Sequence, residues 1–206
     1  MALSTFVKIS GITNLSDARY CAGMYVDLLG FSLERESDIF ITPAQFNEIT
    51  GWVSGLEFVG EFVTYKLPEV QETLVNYPSV KWIEHDRIEP LVEFEGKGYG
   101  LIYKMDLQEV RQIEQEVAEK LNESGIIFHI TSDHEELDEE DLNAIKLISA
   151  HCRVVLGVGI TAQNVQELID TLNLYGISLT GGNEIKPGLK DFDELADILE
   201  ALEIED

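Results

Sequence analysis

The feature that most limits how this chain can fold is an alternation. Short apolar, β-branched or aromatic runs and stretches with helical periodicity follow one another eight times without a break in rhythm. FVKISGI (6–12), VDLLGFSL (26–33), LEFVGEFVT (56–64) and VKWIEH (80–85) read as strands, as do GLIYKMD (100–106), IIFHITSD (126–133), RVVLGVGI (153–160) and ISLTGG (177–182). Helical patterns fill the intervals. One covers 14–24, one starts at the Thr42-Pro43 cap and runs to about Val53, and one starts at Pro68 and ends near Asn76. The glycine-rich EPLVEFEGKGY makes a short, poor helix, whereas 107–123 is the clearest helix in the chain, with Gly125 just beyond it. Further helices are expected over 136–150, from a Thr161 cap to Gly176, and from Phe192 to Leu202.

Strands apolar on both faces, each followed by a helix, imply a parallel sheet covered by helices. Eight such units in 206 residues close as a (β/α)8 TIM barrel. No Pro/Ser-rich linker or composition shift divides the chain, so residues 1–206 are expected to form a single barrel domain. Apolar residues make up 45% of the chain, enough for a large core, yet no run approaches the ~20 residues that cross a bilayer. The N-terminus lacks a secretory pattern, and Cys21 and Cys152 sit far apart in helical stretches. They read as buried thiols in a cytoplasmic protein. The formal charge of −25 repels nucleic acid and anionic membranes, so neither is expected as a partner. The four histidines have no metal-ligand spacing; no metal and no cofactor are expected. Trp52, Trp82 and Tyr77 sit among apolar residues and read as core or interface.

In such a barrel, chemistry gathers at the carboxyl ends of the strands. That places Ser10, Ser32, Thr64, Glu84, Lys104, His129, Gly157 and Thr180, or their neighbours, on the active face. Lys8 lies two residues before Ser10 and so shares its side of the strand. Gly157, Gly159, Gly181 and Gly182 follow the seventh and eighth strands, where backbone N–H groups and a helix N-terminus can hold a phosphate; glycines there also serve turns that need positive φ.

Several segments carry a resemblance. VKISGITNLSDA (7–18) resembles the VKICGITNLEDA opening of phosphoribosylanthranilate isomerases. GFSLERESDIFITPAQFNEI (30–49) looks like their second strand and following helix. VGEFV (59–63) is similar to their usual VGVFV, LGVGITAQNV (156–165) to LSGGLNPENV, and SLTGGNEIKPGLKD (178–191) to a segment ending in PGXKD. The likeness spans most of the chain and is weak over 65–150.

The resemblance implies an Amadori-type aldose–ketose rearrangement in tryptophan synthesis, with a phosphorylated small molecule as ligand. Such a reaction needs a general base and a general acid. The family places a cysteine base where this chain has Ser10. A serine hydroxyl needs an activating base beside it, and otherwise lines a pocket. The family's acid falls at Ile130 by alignment, with the adjacent His129 facing the other way unless the strand shifts by one residue. His129 with Ser10 is therefore the candidate catalytic pair, and Asp133 is a further acid at the rim. Lys8, Gly157, Gly159, Gly181 and Gly182 are the candidate ligand-binding residues. An arginine expected after the second strand is missing from ESDIF (36–40). A glycine-rich loop after the sixth strand is replaced by SDHEELDEED (132–141), seven acids in ten residues. The expectation is a phosphosugar-binding barrel whose isomerase activity rests on replaced groups, with a barrel that binds but no longer reacts as the alternative. A homodimer remains open.

Overall fold

The computed structural model describes residues 2–132, 136–181, 184–186, 189–190 and 192–204. The order is β1 (Phe6–Ser10), α1 (Leu15–Gly23), β2 (Leu28–Ser32), α2 (Pro43–Thr50), β3 (Glu57–Phe62), α3 (Leu67–Leu74), β4 (Val80–His85) and α4 (Ile88–Val92). It continues with β5 (Gly100–Asp106), α5 (Leu107–Val110), α6 (Gln115–Glu123), β6 (Ile127–Thr131), α7 (Glu139–Ser149) and β7 (Val154–Leu156). Last come α8 (Val165–Leu172), β8 (Gly176–Thr180), a hairpin of β9 (Glu184–Lys186) and β10 (Leu189–Lys190), and α9 (Asp193–Glu200). Strands β1 to β8 pair in sequence, all parallel, and β8 closes on β1 through Phe6↔Gly176 to Ser10↔Thr180. The chain is a closed (β/α)8 barrel.

Local chemistry accounts for many of the boundaries. At α2, Thr42 accepts from the Gln45 N–H, the Gln45 side chain accepts from the Thr42 N–H, and Pro43 supplies a preset φ. Asn14 caps α1 by accepting from the Asp17 N–H. Asp138 and Asp141 form the same reciprocal box at the start of α7, so acids that look like a bare charge run in the sequence partly serve as caps.

Three expectations are corrected. The 107–123 segment is two helices, not one. Helix α5 ends at Val110; Arg111 caps it with helical dihedrals and sends its side chain to Asp138, Glu140 and Asp141 at the start of α7, and helix resumes at Gln115 with Ala118 and Leu121 inward. Tertiary pairing overrides a good helical pattern here. Helix α8 does not run to Gly176: Asn173 terminates it in the left-handed region at φ 51°, and Gly176 already opens β8, where an added Cβ would lie 2.2 Å from the Phe6 carbonyl oxygen. Asn164, not Thr161, is the residue that precedes α8, and its side chain bridges the Thr161 N–H and the Gly159 carbonyl.

Two apolar regions build the body. One lies between sheet and helices and includes Val7, Ile9, Phe31, Phe128, Ile130 and Leu156. The other plugs the barrel's amino-terminal end with Leu28, Val59, Ile102, Ile127 and Val155, against which Phe6 and Trp82 pack. Tyr77 is buried and donates to the Ile41 carbonyl at 2.6 Å. Trp52, expected in the core or at an interface, is not in the core: 70% of it is exposed, just past the end of α2. Both cysteines are buried thiols outside any disulfide. No helix among the described residues is long and apolar enough to cross a membrane.

Candidate active site

The site follows from strand alternation. Two residues beyond each member of the inner plug, the next inward side chain lies one layer nearer the carboxyl ends. Phe6 is followed by Lys8 and Ser10, Val59 by Glu61, Trp82 by Glu84, Ile102 by Lys104, Ile127 by His129, and Val155 by Gly157. The layer above the apolar plug therefore carries five ionisable side chains, Lys8, Glu61, Glu84, Lys104 and His129.

These groups meet. The Lys8 ammonium, fully buried, donates to Glu61 Oε1 at 2.6 Å and to Glu84 Oε1 at 3.2 Å. It also donates to Ser10 Oγ at 2.5 Å. His129 Nδ1 lies 2.8 Å from Glu84 Oε2. Ser10 Oγ is 3.2 Å from Ser178 Oγ, and the Gly11 N–H reaches Glu61 Oε2 at 3.2 Å. At the rim, Lys104 pairs with Asp86 at 3.0 Å. Among the described residues no three carboxylate, imidazole or thiol groups form a metal cage.

The protonation states follow from competing effects. Burial opposes charge on Lys8, but Glu61 and Glu84 outweigh it and raise its pKa, so Lys8 stays an ammonium. Burial likewise opposes ionisation of Glu84, yet Lys8 and His129 beside it hold its carboxyl well below the usual range. For His129 burial wins over Glu84 and lowers the pKa, so the ring is neutral and its Nδ1–H donates to the Glu84 carboxylate. The Nε2 is then a lone pair, and it has no hydrogen-bond partner among the described residues. Burial opposes the charge on Lys104 too, but Glu84 and Asp86 raise its pKa.

Two glycines make room for this layer. A Cβ on Gly30 would lie 2.0 Å from Glu61 Oε1, and one on Gly157 would lie 2.8 Å from His129 Nε2. Glycine at these positions is a packing requirement of the charged residues opposite.

The family can now be placed. The sequence profile of N-(5'-phosphoribosyl)anthranilate (PRA) isomerases matches residues 7–201. The chain belongs to that family. An N-(5'-phosphoribosyl)anthranilate isomerase of Geobacter metallireducens is 26% identical over 195 residues, which cover 90% of this chain and 92% of that protein. The phosphoribosyl anthranilate isomerase of Thermotoga maritima superposes with a TM-score of 0.78 at 23% identity, covering 96% of this chain and 98% of that one. Another solved isomerase, in complex with reduced 1-(o-carboxyphenylamino)-1-deoxyribulose 5-phosphate, gives a TM-score of 0.74 at 21% identity, with 96% and 98% covered.

Against the isomerase pattern, the expected side for β6 is corrected. His129 faces the barrel axis and Ile130 packs outward against the helices, because Ile127 belongs to the inner plug and fixes the alternation. Ser10 and Lys8 share the inward side as expected. Of the candidate ligand-binding glycines, Gly157 donates its N–H to the Ile130 carbonyl at 2.8 Å and Gly181 to the Ser10 carbonyl at 3.4 Å. Gly159 holds φ 69° in the loop after β7, a backbone setting that favours glycine. Gly182 and Asp133 lie outside the described residues. Glu34, on the loop after β2, accepts from the Val63, Thr64 and Tyr65 N–H groups at 2.7–2.8 Å and ties the β2 and β3 loops together.

Glu61 escaped sequence reasoning. Its signal was visible: an ionisable residue at the centre of VGEFV, where the isomerases usually carry valine. What the sequence withheld was which residues it would face.

Proposed function

We propose that this isomerase-family barrel binds a phosphorylated sugar-type ligand over the carboxyl ends of β1, β7 and β8, and that Ser10 lines the site and is not its base. The contact between Lys8 and Ser10 carries the reading. An ammonium donating to Ser10 Oγ at 2.5 Å takes one of its lone pairs and, having no acceptor of its own, cannot receive the hydroxyl proton. Its other neighbour, Ser178, is equally unable to take that proton at neutral pH. The phosphate assignment draws on the loops after β7 and β8, with Gly159 in place, and on the phosphorylated compound named in the isomerase complex.

His129 fits the role of a positioning residue. Its Nδ1–H fixes Glu84, which fixes Lys8, while its Nε2 is sealed beneath Gly157. The sealed Nε2 also favours a second reading, a barrel that binds its ligand and performs no rearrangement. Growth of a tryptophan-requiring strain that lacks the isomerase separates the two. Rescue by this gene, with turnover of phosphoribosylanthranilate in a fluorescence assay, removes the binding-only reading. The ligand assignment is tested by calorimetry with ribose 5-phosphate. Saturable heat at or below millimolar concentration is expected, and none at about 10 mM would falsify it.

A further inference from the structure

Ser10 leaves the mouth of the barrel without a base on β1, but a carboxylate from another strand stands beside it. Glu61 projects from β3 across Gly30, whose missing side chain leaves the room it occupies. One carboxylate oxygen is held by Lys8 at 2.6 Å and the other by the Gly11 N–H at 3.2 Å, so the group sits against residues 8–11, where a β1 side chain would otherwise act. The layer is graded in depth. The Lys8, Glu84 and His129 side chains are 0%, 2% and 2% exposed, whereas that of Glu61 keeps 12%. Glu61 is thus the acidic group of the charged layer that solvent or a ligand can touch. A carboxylate held by one ammonium and one backbone N–H keeps acceptor capacity beyond those two bonds, and part of this group stays in reach of solvent.

The geometry points to Glu61 as the general base of a proton transfer on the phosphorylated sugar, taking the hydrogen from the carbon beside the carbonyl. The inference rests on the ligand assignment above. The C–H bond breaks, the proton passes to the Glu61 carboxylate, and the bonding pair becomes a carbon–carbon double bond. The carbonyl π electrons settle on oxygen as an enediolate. Lys104, 25% exposed and paired with Asp86, is a cation at the rim to face that oxygen. Return of the proton from Glu61 to the neighbouring carbon, with one hydroxyl proton moving between the two oxygens, gives the ketose and restores the carboxylate. Lys8 and the Gly11 N–H act through Glu61, and Glu84 and His129 act through Lys8. The substrate class is an open-chain α-hydroxy aldehyde bearing a phosphate.

The first step is measurable without knowing the physiological substrate. The protein is incubated with ribose 5-phosphate in deuterated buffer, the C2 hydrogen is followed by proton NMR, and affinity for the same compound is measured by calorimetry. The wild-type protein is expected to exchange this hydrogen above the protein-free rate. Glu61→Gln is expected to bind within a few-fold of wild type and to lose ~10²–10⁴-fold in exchange, the range a positioned base supplies. Binding without exchange by the wild type overturns the inference and leaves the ligand assignment standing, as does a Glu61→Gln variant that exchanges normally. Absence of binding removes the ligand assignment, and the inference with it. Should Glu61→Gln fail to fold, Glu61→Asp keeps the charge and withdraws it by one methylene. A drop of tenfold or more with intact binding is then expected, and undiminished exchange overturns the role.

Discussion

Replacing Gly157 by alanine tests whether this glycine opens a ligand loop or houses the imidazole. Gly157 has no positive φ, so alanine brings no backbone strain; its whole effect is contact. The new methyl would stand 2.8 Å from His129 Nε2 and 3.2 Å from the Ile130 carbonyl oxygen. The ring would have to retreat by roughly 0.6 Å to reach ordinary van der Waals distance. Retreat stretches a 2.8 Å hydrogen bond to an ionised carboxylate in a sealed layer. Overpacking of this kind costs about 1–3 kcal/mol, and weakening a charged hydrogen bond adds part of about 1.5–3 kcal/mol. A loss near 3 kcal/mol corresponds to a fall in Tm of roughly 6–12 °C for a domain of this size. Scanning calorimetry of Gly157→Ala gives the number. The same substitution in a His129→Ala background should cost no more than about 1 kcal/mol, because the nearest clashing atom is gone and only the milder 3.2 Å approach to the Ile130 carbonyl remains. Equal losses in both backgrounds, or a Tm within 2 °C of wild type, would refute the packing role.

Other expectations follow from the same layer. Glu84 has a folded-state pKa below its unfolded value of about 4.3, so its contribution to stability is present above that value and is lost as pH falls through the folded one. Denaturant midpoints should begin to fall below about pH 6.5, where the unfolded chain protonates His129 and the buried ring resists the proton, and should fall further below about 4.5; Glu84→Gln should flatten that lower limb. Lys8→Met leaves Glu61 and Glu84 without their shared cation and should cost about 3–5 kcal/mol in urea titrations; a loss under 1 kcal/mol would show the ion pairs to be idle. Cys21 and Cys152 are both buried, and burial pushes the Cys152 thiol up to about 11. A thiol reagent at pH 8 should therefore label neither in the native protein within minutes, and both after unfolding.

Much of the fold was legible because short-range chemistry agreed with the final packing. Val80–His85 and Gly100–Asp106 could be bounded from apolar runs and flanking turns, and Thr42-Pro43 announced its helix. The break at Arg111 was not legible, since it depends on acids nearly thirty residues away on α7. Asn173 ends α8 through a left-handed residue where glycine was the expected marker, and Gly176 turned out to be needed for the closeness of the Phe6 backbone. At the site, Lys8, Ser10, Glu84, Lys104 and His129 could be named as strand-end residues, but alignment put His129 on the wrong side of β6. The inner plug decides that side, and its members are known only once the barrel is closed. Glu61 was passed over because a lone glutamate in a strand has many meanings; only Gly30, Lys8 and Gly11 together give it one.

A crystal structure with ribose 5-phosphate bound tests the central claim most directly. The account predicts phosphate density over the loops that follow β7 and β8, beside the Gly159 backbone, with the sugar's C2 within about 3–3.5 Å of a Glu61 carboxylate oxygen. Ligand density at the opposite, amino-terminal end of the barrel, or a sugar placed over β7 and β8 but out of reach of Glu61, would contradict it.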